Sequence, residues 1–220
     1  MSGPLAFVGG GEWQSGCDFD ERLLAAGGGE EVVILAAAAA YEHPDRLVIA
    51  ATQHFSQLGA KVIGLDVFQR SGALVAANAD VVRKAKFIYL SDGSPLHLRS
   101  VLKSTPLWEA LVASWKDGAV IAGSGAGAMV LGDPMVDPRG GAFTVGLGLI
   151  SGVAIYPNAN DEFASLHQRT LALADPGLRL VAIAEQTALI RSGEGSWSVE
   201  GAGFAKVYID GKESPLSVLT

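Results

Sequence analysis

Ala119-Val120-Ile121-Ala122-Gly123-Ser124-Gly125-Ala126-Gly127-Ala128 is the stretch on which the fold turns. Its first four residues are a continuous apolar run, the pattern of a parallel strand covered on both faces. Small residues then carry the chain directly into a helix, expected over roughly 126–131. A strand that becomes a helix within six glycine, serine and alanine residues has the pattern of a nucleophile elbow. The tip residue of such a corner is driven to positive φ, and its neighbours must be small. A glycine-rich turn that holds an anion at the helix start has the same local pattern. The stretch alone leaves both readings open.

Upstream, residues 5–8, 31–35, 62–65 and 87–90 are short apolar runs that read as strands. Helices are expected over 18–26, 45–58, 78–86, 96–102 and 107–116. Gly27-Gly28-Gly29 and Gly59 stand where glycines end helices, and Pro44 stands near a helix start. Strands alternating with helices predict an α/β fold: a doubly wound, mostly parallel sheet with helices on both faces. The tail reads differently. Runs at 180–184, 188–191, 196–199 and 205–209 are separated by turns such as Ser192-Gly193-Glu194-Gly195. They predict a C-terminal antiparallel meander finishing the sheet edge. No repeat or linker divides the chain, so residues 1–220 are expected to form one domain.

Composition narrows the functional classes. Hydrophobic residues make up 49% of the 220 and charged residues 18%, which excludes a disordered chain. The net charge is −7, and the 16 basic residues form no stripe, which argues against nucleic acid as a partner. No apolar run reaches the length of a membrane span, and Met1-Ser2-Gly3-Pro4 lacks the pattern of a secretory leader. Cys17 is the single cysteine, so a reducing cytoplasm is the expected compartment and an incidental thiol the expected role. No metal-ligand spacing and no dinucleotide fingerprint is present, and no metal or cofactor is expected.

In open parallel sheets, ligands sit beyond the carboxyl ends of the strands. Residues 9–13, 36–43, 91–97 and 123–128 fall there. These segments carry a resemblance. Val8-Gly9-Gly10-Gly11-Glu12, the stretch Ser91-Asp92-Gly93-Ser94-Pro95-Leu96-His97 after the fourth strand, and Gly123 to Met129 are similar to motifs of the cyanophycinase and dipeptidase E family. So are Val145-Gly146-Leu147-Gly148 with Ala154-Ile155-Tyr156-Pro157-Asn158, and Ala182-Ile183-Ala184-Glu185-Gln186. The motifs run in register from residue 5 to about 210. The resemblance implies a class-I glutamine amidotransferase-like fold and a serine peptidase.

The chain departs from that pattern where chemistry is done. Aligned on Ala126-Gly127-Ala128, the position of the family's nucleophilic serine holds Gly125, and that of its histidine holds Asn158. Ala184 stands before Glu185 where the family often has Asp. Glycine has no atom with which to attack a carbonyl, and an amide takes up no proton at neutral pH. The expectation is an inactive homologue that retains a pocket for a small peptide or amino-acid-like ligand, as a monomer or homodimer. Backbone N–H groups of Gly93, Ser94 and Ala126 would form an oxyanion-type nest, with Glu12 beside it.

Two alternatives stay open. Ser124, one residue before the aligned position, would serve as nucleophile with His97 or His43 as base. His97 opens the helix after the fourth strand, where a helix-start hydrogen bond is its expected role, while His54 and His167 fall inside helices. Glu12 and Asp92 follow strands one and four, placed either to orient a base or to be solvated. The other alternative is a non-catalytic subunit that pairs with an active paralogue.

Overall fold

The computed structural model describes residues 1–160 and 164–220. Its first half runs β1 (Leu5–Val8), α1 (Phe19–Ala26), β2 (Glu31–Leu35), α2 (Pro44–Gln57), β3 (Lys61–Gly64), α3 (Arg70–Ala73), α4 (Ala76–Lys84), β4 (Phe87–Leu90), α5 (Pro95–Leu102), α6 (Pro106–Lys116), β5 (Val120–Ser124) and α7 (Ala126–Leu131). Side chains mark the helix starts. The Ser94 hydroxyl accepts from the His97 N–H ahead of α5, and the Thr105 hydroxyl accepts from the Trp108 N–H ahead of α6. Each of these helices has proline at its first position, where a missing N–H costs nothing.

The second half begins with the short strands β6 (Gly132–Asp133), β7 (Met135–Val136), β8 (Phe143–Thr144) and β9 (Ile150–Ser151). It continues through β10 (Val153–Tyr156), α8 (Ala164–Leu173), β11 (Arg179–Ile183), β12 (Thr187–Arg191), β13 (Trp197–Gly201), β14 (Ala205–Ile209) and β15 (Lys212–Ser214).

Among the described residues the main sheet has the order β13-β12-β1-β5-β4-β2-β3. From β1 to β3 every pairing is parallel, while β12 and β13 add antiparallel at the edge. Successive side chains of a strand face opposite ways. Leu5, Phe7, Ile88, Leu90 and Ile121 therefore join a core that includes α4 to α7 and β10. Ala6, Val8, Phe87, Tyr89, Val120 and Ala122 join the core under α1 and α2, around Phe19, Leu23 and Phe55. Both faces are covered, which is why the central strands read as unbroken apolar runs.

The α/β architecture expected from sequence is present, but the tail is not one meander. Strands β12 and β13 extend the main sheet, whereas β11, β14 and β15 belong to a second sheet ordered β15-β14-β11-β10-β6-β9. There β11 pairs parallel with β10. The second sheet delivers the end of β10 to the end of β1: the Asn158 N–H donates to the Gly9 carbonyl at 2.6 Å, and the Ala159 N–H to the Ile183 carbonyl at 3.0 Å.

Candidate active site and ligand pocket

Strand β5 stays extended through Ser124, and the corner is turned at Gly125, with φ 48° and ψ −109°. That conformation strains any residue with a Cβ but not glycine. The Gly125 N–H donates to the Val8 carbonyl at 2.9 Å, and its carbonyl accepts from the Met129 N–H at 3.0 Å. Close packing imposes the small neighbours: a Cβ at Gly127 would run into the Leu90 carbonyl. The tip of the corner is thus glycine, and Ser124 lies in the strand before it.

The parity of β5 decides where Ser124 points. Val120 and Ala122 face α1 and α2, and Ser124, two residues on, shares their face. Its hydroxyl is 0% exposed and donates to Glu12 Oε2 at 2.7 Å. Glu12 Oε1 in turn accepts from the Asp92 N–H at 3.1 Å. Burial pushes the Glu12 carboxyl above its ordinary range, and the bonds from Ser124 and Asp92 pull part of the way back.

Asp92, at the end of β4, occupies the centre of the site. One oxygen, Oδ1, accepts from the Ala126 N–H and from the Gly93 N–H, both at 2.7 Å. These are two of the three backbone donors expected to make the nest, and a side chain of the same protein fills it. The third is not there: the Ser94 N–H turns away to the Ala38 carbonyl at 2.9 Å. A Cβ at Gly125 would overlap Cγ, Oδ1 and Oδ2 of Asp92. The carboxylate therefore sits in the volume that a side chain at the corner would need.

A cavity of about 280 Å³ opens beside this carboxylate. Asp92, Gly93, Ala126 and Asn158 line it, with Met129, Val136 and Leu166 among the apolar residues around them. Asn158 follows β10 at φ 50°, with its side chain against Gly10. The structure thus gathers Asn158, Gly93 and Ala126 at one cavity next to Gly125.

It does not bring the other candidates there. The expectation of Glu12 as a ligand-binding group meets a carboxylate turned inward on Ser124 and the Asp92 N–H. His97 Nε2 lies 2.9 Å from the Phe68 carbonyl, and its ring meets Tyr41 edge-on. His43 is exposed ahead of α2. His54 lies 3.0 Å from Asp20 on the α1–α2 face. His167 packs between Tyr156 and Tyr208, where burial lowers its pKa. Among the described residues no group of His, Cys, Asp or Glu is placed to hold a metal, and no helix is long and apolar enough to cross a membrane.

Sequence reasoning named Gly93 and Ala126 but missed Asp92 as the group they hold. The signal was available: an acidic residue directly precedes Gly93 in the loop that faces the corner.

The model of peptidase family S51 matches residues 7–198. A peptidase from an acI-B1 actinobacterium has a crystal structure that superposes with a TM-score of 0.82 at 29% identity, covering 97% of this chain and 93% of that one. A peptidase-E-type protein from Listeria monocytogenes EGD-e superposes with a TM-score of 0.67 at 17% identity, covering 92% of this chain and 100% of that one, and shares the fold. No curated protein sequence matches the chain.

Proposed function

The chain belongs to peptidase family S51, and from that premise we propose that it binds a small peptide or amino-acid-like ligand without hydrolysing it. One observation carries the reading. At the corner where a serine peptidase needs its nucleophile stands Gly125, and the Asp92 carboxylate fills the space beside it, held by the Ala126 and Gly93 amides.

Acyl transfer by a serine needs three things: an attacking oxygen, a base to take its proton, and donors for the oxyanion. Gly125 supplies no oxygen. Asn158, which lines the cavity, supplies no proton acceptor at neutral pH. The donors are already bonded to a carboxylate, and an oxyanion would have to displace it. The chain retains a cavity, apolar over much of its wall, with polar groups at one end, which is the form of a small-molecule site.

Ser124 as a relocated nucleophile fits this arrangement poorly. Its hydroxyl is buried on the α1–α2 face and donates to Glu12, not to a histidine. A reducing cytoplasm is the compartment this reading assumes, with Cys17 a single buried thiol.

The test is incubation of the purified protein with aspartyl dipeptides and β-linked aspartyl-arginine, followed by amine release, together with fluorophosphonate labelling and peptide mapping. The expected result is no release above buffer and no seryl adduct. Turnover abolished by Ser124→Ala, with an adduct mapped to Ser124, would overturn the proposal.

A further inference from the structure

The charge distribution around the cavity says what kind of ligand it would take. Resting on the reading of this cavity as a binding site, we infer that it selects an amine: an ammonium group on an apolar body, with no carboxylate required.

Asp92 is the only charged residue among the described residues lining the cavity. Its Oδ1 is committed to the Ala126 and Gly93 amides, whereas no donor among the described residues reaches Oδ2. A carboxylate has more acceptor capacity than those two bonds use. A positively charged donor at the cavity mouth would complete it. Among the described residues no lysine, arginine or histidine lines the cavity to receive an anion.

The rest of the wall suits the body of such a ligand. Met129, Val136, Pro138, Tyr156 and Leu166 are largely apolar. Asn158 is neutral. The chain as a whole carries a net charge of −7, which adds a weak long-range attraction for cations.

A carboxylate ligand faces the opposite balance. To reach the Ala126 and Gly93 amides it must expel Asp92, whose charge-assisted bonds are intramolecular and already made. Otherwise it must rest beside a like charge with no cation to offset it. The nest that would accept an anion in an open site is satisfied from within, and the surplus charge of that satisfaction faces the cavity.

Benzylammonium, benzoate and benzyl alcohol, which share one apolar body, separate the possibilities. Each is titrated into the purified protein and followed by chemical-shift perturbation and calorimetry. Benzylammonium is expected to bind at least about tenfold more tightly than benzoate, equivalent to about 1.4 kcal/mol. Asp92→Asn keeps an acceptor for both amides and removes the charge, and it is expected to bring benzylammonium down to the level of benzyl alcohol. Tighter binding of benzoate, an unchanged preference in Asp92→Asn, or no binding of any of the three would overturn the inference. None of the probes has a bond for a peptidase to cleave, so these outcomes are independent of the hydrolysis test. The wild-type ratio alone decides the matter if the variant does not fold.

Discussion

Gly125→Ser should destabilise the protein, and adding Asp92→Ala to it should cost little more. Two terms add at the corner. A residue with a Cβ held at φ 48° and ψ −109° is strained, by ~1–3 kcal/mol. The new Cβ would also overlap the Asp92 carboxylate, which must then leave the Ala126 and Gly93 amides. Bonds to a charged acceptor are worth about 1.5–3 kcal/mol each, but Asp92 is half-buried and water takes over part of their role, leaving roughly 2 kcal/mol for the pair. The single variant Gly125→Ser is therefore expected to lose about 3–5 kcal/mol, a large share of an ordinary ~5–15 kcal/mol. Asp92→Ala by itself forfeits the same two bonds, roughly 2 kcal/mol. In the double variant those bonds are lost only once, so it should be about as stable as Gly125→Ser alone. Urea denaturation of all four proteins measures the coupling, expected to be about 2 kcal/mol. Additivity within about 0.5 kcal/mol would refute the claim that the carboxylate occupies the side-chain volume of the corner.

Glu12 gives a pH signature. Burial raises its carboxyl pKa in the folded chain, so its contribution to stability is fully present below the unfolded value of about 4.3 and is lost as pH rises through the folded value. Glu12→Gln removes that loss, while its amide can still meet Ser124 and the Asp92 N–H. The melting temperature of the variant relative to wild type should rise as the pH is raised above the unfolded value of about 4.3, by ~2–4 °C for each ~1 kcal/mol recovered; a difference that stays flat with pH contradicts the assignment. Cys17 should be nearly inert. Its thiol is buried, donates to the Gly11 carbonyl and has its pKa pushed up to about 11 by burial, with Asp20 nearby adding to the effect. Alkylation by iodoacetamide at pH 8 should run roughly two orders of magnitude slower than in an unfolded peptide, whose thiol has a pKa of about 8.5, and a rate within a few-fold of the peptide would show that the site opens readily.

Much of this was legible from local sequence because the causes are local. The alternating strands and helices, the proline and hydroxyl starts of α5 and α6, and the corner at Gly125 each depend on residues a few positions apart. Even the burial of Ser124 was within reach: two-residue parity with Val120 and Ala122 assigns it to the α1–α2 face, a step that pattern-matching on the elbow passes over. Tail strands were misjoined because short apolar runs carry no record of their partners. Nothing in residues 179–183 says that β11 pairs parallel with β10 in a second sheet rather than following β12 along the first.

The sequence by itself determined that Gly125 carries no side-chain oxygen and Asn158 no proton acceptor at neutral pH, since those atoms are lacking in any fold. Only the tertiary structure decided what lies beside them. The Asp92 carboxylate meets an amide 34 positions along the chain, and Ser124 meets a carboxylate 112 positions away. The packing of β1, β4 and β5 brings their ends within hydrogen-bonding reach. A contact made by folding distant segments together leaves no periodicity to read, so an acid in a loop becomes the occupant of an anion nest only once the sheet is assembled.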